Sequence, residues 1–325
     1  MPRPLLALTT GDPAGIGPEI VEHALALREL RERVRLLVVG PASCRPRSVP
    51  LLSSAAESAQ VDGAAWLATE GSGDWSVGRA QASAGRAALA ALRAGHELAL
   101  RGAVDGLVCA PVSKEALHLA GERVEGQTEL LARWSEVPDV QMLGVARELR
   151  VLLLTRHMPL RDALAAITVE RVRAHLVMLD EGLRQLGFAA PRLALAGLNP
   201  HAGERGLLGR EDGELLAPAV EEARALGLAV SGPLSPDTVF LRAAQGEFDG
   251  VLALYHDQAF IPLKLHAPRE GLTVLLRLPY LRVSPAHGTA FDIAGQGKAD
   301  PTNLVTALEA AARWAPLYRS ASSRA

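Results

Sequence analysis

Three histidines share one sequence context. His157, His201 and His256 each stand a few residues past a short apolar segment, in a loop bearing Pro or Gly. Three neutral imidazoles with one open position make a catalytic site for a Zn²⁺-type divalent ion. Asp237 and Asp257 are candidates to orient the ring nitrogens. No HExxH-like spacing links the three, so the site exists only if the preceding strands are sheet neighbours. If they are not, these are ordinary loop histidines.

The stretch LALYHDQAFIPLK, 252–264, concentrates the same chemistry. The apolar run 250–254 reads as a buried strand, and Tyr255, His256, Asp257 and Gln258 follow it directly. Open α/β sheets place ligands just beyond the carboxyl ends of their strands. Lys264, eight residues past His256, could hold an anion. The alternative is a strand capped by a polar turn.

Two glycine-bearing loops could cradle a nucleotide: TGDPAGIGPE (10–19) and HGTAFDIAGQGKADP (287–301). Neither fits GxGxxG with an acidic residue about 20 positions later, which argues against an ordinary Rossmann fingerprint. In the second loop His287 could stack on a base, and Asp292 and Asp300 could accept hydroxyl hydrogen bonds. Gly288 and its neighbours would permit close backbone approach. The alternative is a surface loop before the last helix. Lys114, just past another strand, is either a site residue or a solvated first-turn lysine.

The elements that must position these groups follow a strand–helix–strand rhythm, which predicts a parallel sheet. Strands are expected at 4–8, 34–39, 104–110, 193–196, 250–254 and 273–278. A close antiparallel pair is expected at 140–145 and 151–154. Helices are expected at 16–30, 81–101, 168–186, 211–226, 235–245 and 301–318, with a shorter one from 126 to about 136. Ser113 and Thr168 are candidate caps. The segment 41–77, rich in Ser, Pro and Gly, reads as surface connection with short elements and no chemistry, and the Ser-Ala-Arg end is expected to fray.

With 325 residues, 49% hydrophobic and 22% charged, the chain can bury a large core in two lobes. A net charge of −2 gives no reason to expect nucleic acid or an acidic membrane as partner. Cys44 and Cys109 form no CxxC or metal-ligand pattern and read as free thiols of a reducing cytoplasm. No apolar run reaches the ~18 residues of a membrane span. The apolar start runs into TTGDP without the marks of a signal peptide, so a cytoplasmic location is expected.

Taken together, TGDPAGIGPE, APVSKEALHLAG, RHMPLRD, GLNPHAGE, SPDTVF, YHDQAFIPLK and LPYLRVSPAHGTAFDIAGQGKADP resemble, in order, the 4-hydroxythreonine-4-phosphate dehydrogenase family of vitamin B6 biosynthesis. The resemblance covers about 5–310. The first and last motifs are also similar to isopropylmalate and isocitrate dehydrogenases. It implies a three-layer α/β/α fold of that wider type. Its two lobes would be a cofactor-side lobe (1–125 with 267–325) and a metal, substrate and dimerisation lobe (126–266), with the active site in a cleft at a homodimer interface. It implies one divalent ion (Zn, Mg or Co) on His157, His201 and His256, with Asp237, Asp257 and Lys114 as catalytic or supporting groups. Gln127, Thr128, Lys264, Thr273 and Arg282 fall at substrate-binding positions. NAD(P) would lie along His287, Gly288, Asp292 and Asp300.

The implied reaction oxidises 4-phosphohydroxy-L-threonine to 2-amino-3-oxo-4-phosphooxybutanoate. That product decarboxylates to 3-amino-2-oxopropyl phosphate, a step in pyridoxal phosphate biosynthesis. Three positions depart from the family pattern: Gln127 replaces a histidine, Thr273 an asparagine, and Arg277 a small residue. They leave room for another substrate, such as a phosphorylated four-carbon sugar acid or a carboxylated cis-dihydrodiol. A non-catalytic binding protein on this fold would be expected to lose the three histidines, and all three are present.

Overall fold

The computed structural model describes residues 3–322. The chain folds as two compact units, Met1–Val140 with Leu278–Ala325, and Gln141–Arg277. α5 thus belongs to the first unit and β10 to the second.

The first unit begins β1 (Leu5–Thr9), α1 (Gly17–Ala26), α2 (Arg28–Arg33), β2 (Arg35–Pro41), β3 (Ala64–Thr69) and α3 (Ala82–Leu100). β4 (Gly106–Cys109), α4 (Lys114–Leu119) and α5 (Gln127–Trp134) follow. The second unit holds β5 (Gln141–Ala146), β6 (Leu149–Leu153), α6 (Leu160–Ala165), α7 (Val169–Gln185), β7 (Arg192–Ala196), α8 (Ala217–Ala225) and β8 (Ala229–Leu234). It ends with α9 (Val239–Ala244), β9 (Gly250–Ala253), α10 (His256–His266) and β10 (Gly271–Leu276). The chain then returns to the first unit as β11 (Arg282–Pro285) and α11 (Thr302–Ser322). The last three residues of the Ser-Ala-Arg end lie outside the described residues.

In the first unit the strand order is β3-β2-β1-β4-β11, every pairing parallel, as the sequence rhythm predicts. α3 and α11 pack on this sheet. In the second unit the order is β10-β5-β6-β9-β7-β8. β10, β5 and β6 are antiparallel neighbours; β6, β9, β7 and β8 are parallel. α7, α9 and α10 cover this sheet. The fold is α/β, sheets flanked by helices, as expected. Among the described residues no helix is long and apolar enough to cross a membrane.

Several local expectations require correction. The segment 41–77 does hold short elements, but one of them, β3, is a sheet strand rather than surface connection: its Trp66 is fully buried and donates its indole N–H to Gly40 O at 3.0 Å. Small residues around that tryptophan hide the strand. The expected helix at 16–30 is two helices, because Leu27 has an extended backbone (ψ 111°). β8, with Gly232 and Pro233, survives at the sheet edge, where proline costs no ladder bond. β11 also lacks an apolar run. The helix expected from 235 starts at Val239, after a turn in which Ser235 O accepts Thr238 N. The polar turn offered as one reading of 255–258 is instead the first turn of α10.

Candidate active site

β6, β9 and β7 lie side by side in register, Leu153 opposite Ala253 and Leu195 opposite Leu252. The three histidine-bearing loops therefore leave neighbouring strands at the same end of the sheet. His157 follows β6, and His256 opens α10 directly after β9. Their ring centroids are 5.4 Å apart. His256 also stacks on Phe260 at 4.7 Å, and its Nδ1 lies 2.7 Å from Asp257 Oδ1. The Lys264 ammonium stands 5.9 Å from the Phe260 ring centroid, one turn further along α10.

His201 follows β7 in an unusual backbone. Residues 201–205 have φ of 55°, 52°, 76°, 43° and 58°, a left-handed turn in which only Gly203 is glycine. Each L-residue held there costs roughly 1–2 kcal/mol, and such strain collects at functional sites. Asp237 accepts the Ser235 hydroxyl at 2.6 Å, and this bond, with the nearby His201, holds its carboxyl below the ordinary value. Three imidazoles carried by loops that leave one sheet end are, by donor chemistry, a suitable set for a borderline divalent ion. Among the described residues, however, no three His, Cys, Asp or Glu side chains are assembled as a ligand group.

Buried polar side chains tie these strand ends together. Thr155 Oγ1 donates to Leu254 O at 2.7 Å, joining the ends of β6 and β9. Gln258 accepts Leu254 N at 2.7 Å and donates to Gly197 O at 2.8 Å, joining β9 to β7. Asp212 accepts Leu198 N, Asn199 N and Asn199 Nδ2 at 2.8, 3.1 and 2.9 Å. Sequence reasoning gave none of the three a role. Gln258 stood inside the quoted motif, a polar residue where helical phase turns inward; Asp212 carried no local signal.

In the first unit, Gln127 and Arg282 meet. Gln127 donates to Ala110 O and accepts from Arg282 Nη2, both at 3.1 Å. Arg282 is only 3% exposed and its Nε has no partner. A buried guanidinium bonded to a neutral amide favours an anionic ligand. Thr128 is buried one residue on, and Lys114 is exposed at the start of α4, which Ser113 caps through Ala116 N. In the second unit Thr273 is buried within β10, while Arg277 is exposed with φ of 73°.

The two glycine loops touch. Ile16 N donates to Thr289 O at 3.0 Å, Glu19 Oε1 accepts Ala299 N at 2.7 Å, and a Cβ on Gly15 would meet Thr289 Cβ at 2.8 Å. Between them His287 Nδ1 lies 3.0 Å from Gly288 O, and Asp292 O accepts the Gln296 amide. Asp300 accepts the N–H and hydroxyl of Thr302, the first residue of α11. Asp12 is fully buried beside this loop, and its Oδ1 accepts Ala14 N at 2.9 Å. Burial pushes its carboxyl up to about 6.

Comparison with known proteins agrees with this reading of the fold. The family model described as pyridoxal phosphate biosynthetic protein PdxA matches residues 23–311. D-threonate 4-phosphate dehydrogenase of Salmonella typhimurium is 40% identical over 94% of this chain and 97% of its own. The 4-hydroxythreonine-4-phosphate dehydrogenase of Desulforapulum autotrophicum is 38% identical over 95% of each. The crystal structure of 4-hydroxythreonine-4-phosphate dehydrogenase from Klebsiella pneumoniae superposes with a TM-score of 0.87, at 40% identity over 96% of this chain and 98% of that one. The chain belongs to the PdxA family.

Proposed function

We propose that this protein is an NAD(P)-linked, divalent-metal-dependent dehydrogenase acting on the secondary alcohol of a small phosphorylated hydroxy acid. The alignment of β6, β9 and β7, which brings the loops of His157, His201 and His256 to one sheet end, carries the reading. The names of these relatives, each a dehydrogenase of a 4-phosphate, support it.

His157, His201 and His256 are the proposed ligands, with Zn, Mg or Co as candidate ions. A cation held by them would supply Lewis acidity and a bound nicotinamide would supply the hydride acceptor, the alcohol losing a hydride and a proton in all. Asp257 orients the His256 ring through the 2.7 Å contact to Nδ1. Asp237, an exposed carboxylate that accepts the Ser235 hydroxyl, is the proposed acceptor for the alcohol proton. Lys114, Lys264 and Arg282 provide cations for phosphate and carboxylate; Gln127, Thr128 and Thr273 complete the substrate set. The paired glycine loops, with His287, Gly288, Asp292 and Asp300, would hold NAD(P).

The first substrate proposed is 4-phosphohydroxy-L-threonine, whose β-keto product decarboxylates. The second is D-threonate 4-phosphate, for which the departures at Gln127, Thr273 and Arg277 leave room and which the name of the relative from Salmonella typhimurium supports. Purified protein with NAD⁺ or NADP⁺, a divalent metal and each compound separates them through reduced cofactor. Absence of turnover with both would overturn the proposal.

The proposed assembly is a homodimer. Leu241, Ile261 and Leu265 are exposed, Leu265 by 79%, around a concavity of about 700 Å³ that Asp237 and Asp257 also line. A patch of this kind beside a polar site is suited to a second copy. The free thiols Cys44 and Cys109 suit a cytoplasmic enzyme.

A further inference from the structure

The left-handed turn at 201–205 needs something to hold it, and Asp212 is placed to do so. Asp212 is 2% exposed, and the hydrogen bonds it accepts come from Leu198 and Asn199, immediately before the turn. The carboxylate is seated between two glycines of the same loop. A Cβ on Gly197 would lie 2.9 Å from Asp212 Oδ1, and one on Gly203 would lie 3.3 Å from Oδ2. From behind, Gln258 holds Gly197 O. A buried carboxylate that accepts several N–H bonds fixes the groups that donate them.

We infer that Asp212 is the positioning residue for His201: its carboxylate sustains the strained turn that presents the imidazole at the sheet end. This rests on the proposed role of His201 as a metal ligand. Asp212 acts through the loop, as outer groups act on metal ligands elsewhere, where their loss lowers metal affinity by about 10–100-fold.

The test uses Co²⁺ alone, titrated into the full-length, metal-stripped protein without substrate or cofactor. Affinity, the visible absorption of bound Co²⁺ and the melting temperature of the apo protein are read together. Asp212→Asn keeps the shape but sets an amide N–H₂ against donating groups, and His201→Ala is the control. The inference expects Asp212→Asn to weaken Co²⁺ binding at least about 10-fold and to change the absorption spectrum, with apo melting little altered. If Asp212→Asn binds as wild type while His201→Ala weakens binding, the positioning role is overturned and the metal reading stands. If His201→Ala also binds as wild type, the metal reading fails and the inference falls with it. Should Asp212→Asn not fold, Gly203→Ala perturbs the same turn from the other side, because its Cβ would meet Gly209 O at 2.9 Å where φ is +76°. Unchanged Co²⁺ affinity in folded Gly203→Ala would likewise overturn the inference.

Discussion

Replacing Gln258 with methionine keeps the length of the side chain and deletes two hydrogen bonds at once. Leu254 N–H then loses its acceptor at 2.7 Å, and Gly197 C=O loses its donor at 2.8 Å. Both bonds are buried, and leaving a buried polar group unpaired costs about 1–3 kcal/mol. The pair therefore amounts to roughly 2–6 kcal/mol, with little cavity contribution because methionine fills similar volume. The cost falls at the junction of β9 and β7, so the readout is local amide exchange of the apo protein. At about 1.4 kcal/mol per factor of ten, the Leu254 amide should exchange at least about 30-fold faster, provided it opens locally. Thr155→Val, which removes only the 2.7 Å donor to Leu254 O, should have a smaller effect of about 1 kcal/mol. A Gln258→Met protein whose Leu254 exchanges at the wild-type rate, with unchanged stability, would refute the claim that these side chains tie the strand ends together.

Asp12 gives a pH signature. Its buried carboxyl is raised from 3.8 to about 6, so the folded protein keeps a proton that the unfolded chain releases. The associated stabilisation is full below pH 4 and lost by the time pH passes 6. Relative to Asp12→Asn, wild type should lose up to about 3 kcal/mol between pH 4 and pH 7; a flat difference across that range counts against the burial argument. Gln127→Ala removes the side-chain oxygen that accepts from the Arg282 guanidinium, and KM for a phosphorylated substrate should rise about 10-fold, with kcat changing less. An unchanged KM would detach Gln127 from substrate binding. If the proposed homodimer forms through this patch, wild type should run as a dimer and Leu265→Glu as a monomer in sedimentation or light scattering; a monomeric wild type, or a Leu265→Glu dimer of unaltered mass, would count against that interface.

Legibility varied with the kind of signal. Long apolar runs such as 34–39, 193–196 and 250–254 fixed strands β2, β7 and β9, because a buried parallel strand has little else to be made of. β3 and β11 were invisible because small or polar residues fill them, and pairing with neighbours decides their state. The common loop position of the three histidines was readable. Their adjacency was not, since the strand order β6-β9-β7 departs from chain order. The groups that brace the site are hardest to see. Asp212 lies past the loop it holds, in a helix expected from periodicity alone, and nothing local distinguishes it from a surface acid. Gln258 differs from an exposed helix residue only by facing the sheet.

The alignment of β6 and β9 has a consequence for biosynthesis. Thr155 and Leu254, which bond across that junction, are 99 residues apart in sequence. Contacts so distant form only after a large loop closes, which slows folding compared with local pairing. During translation, His157 and His201 are synthesised before His256, so a nascent chain carries an incomplete imidazole set. The loops of the three histidines share one sheet end only when β9 lies between β6 and β7.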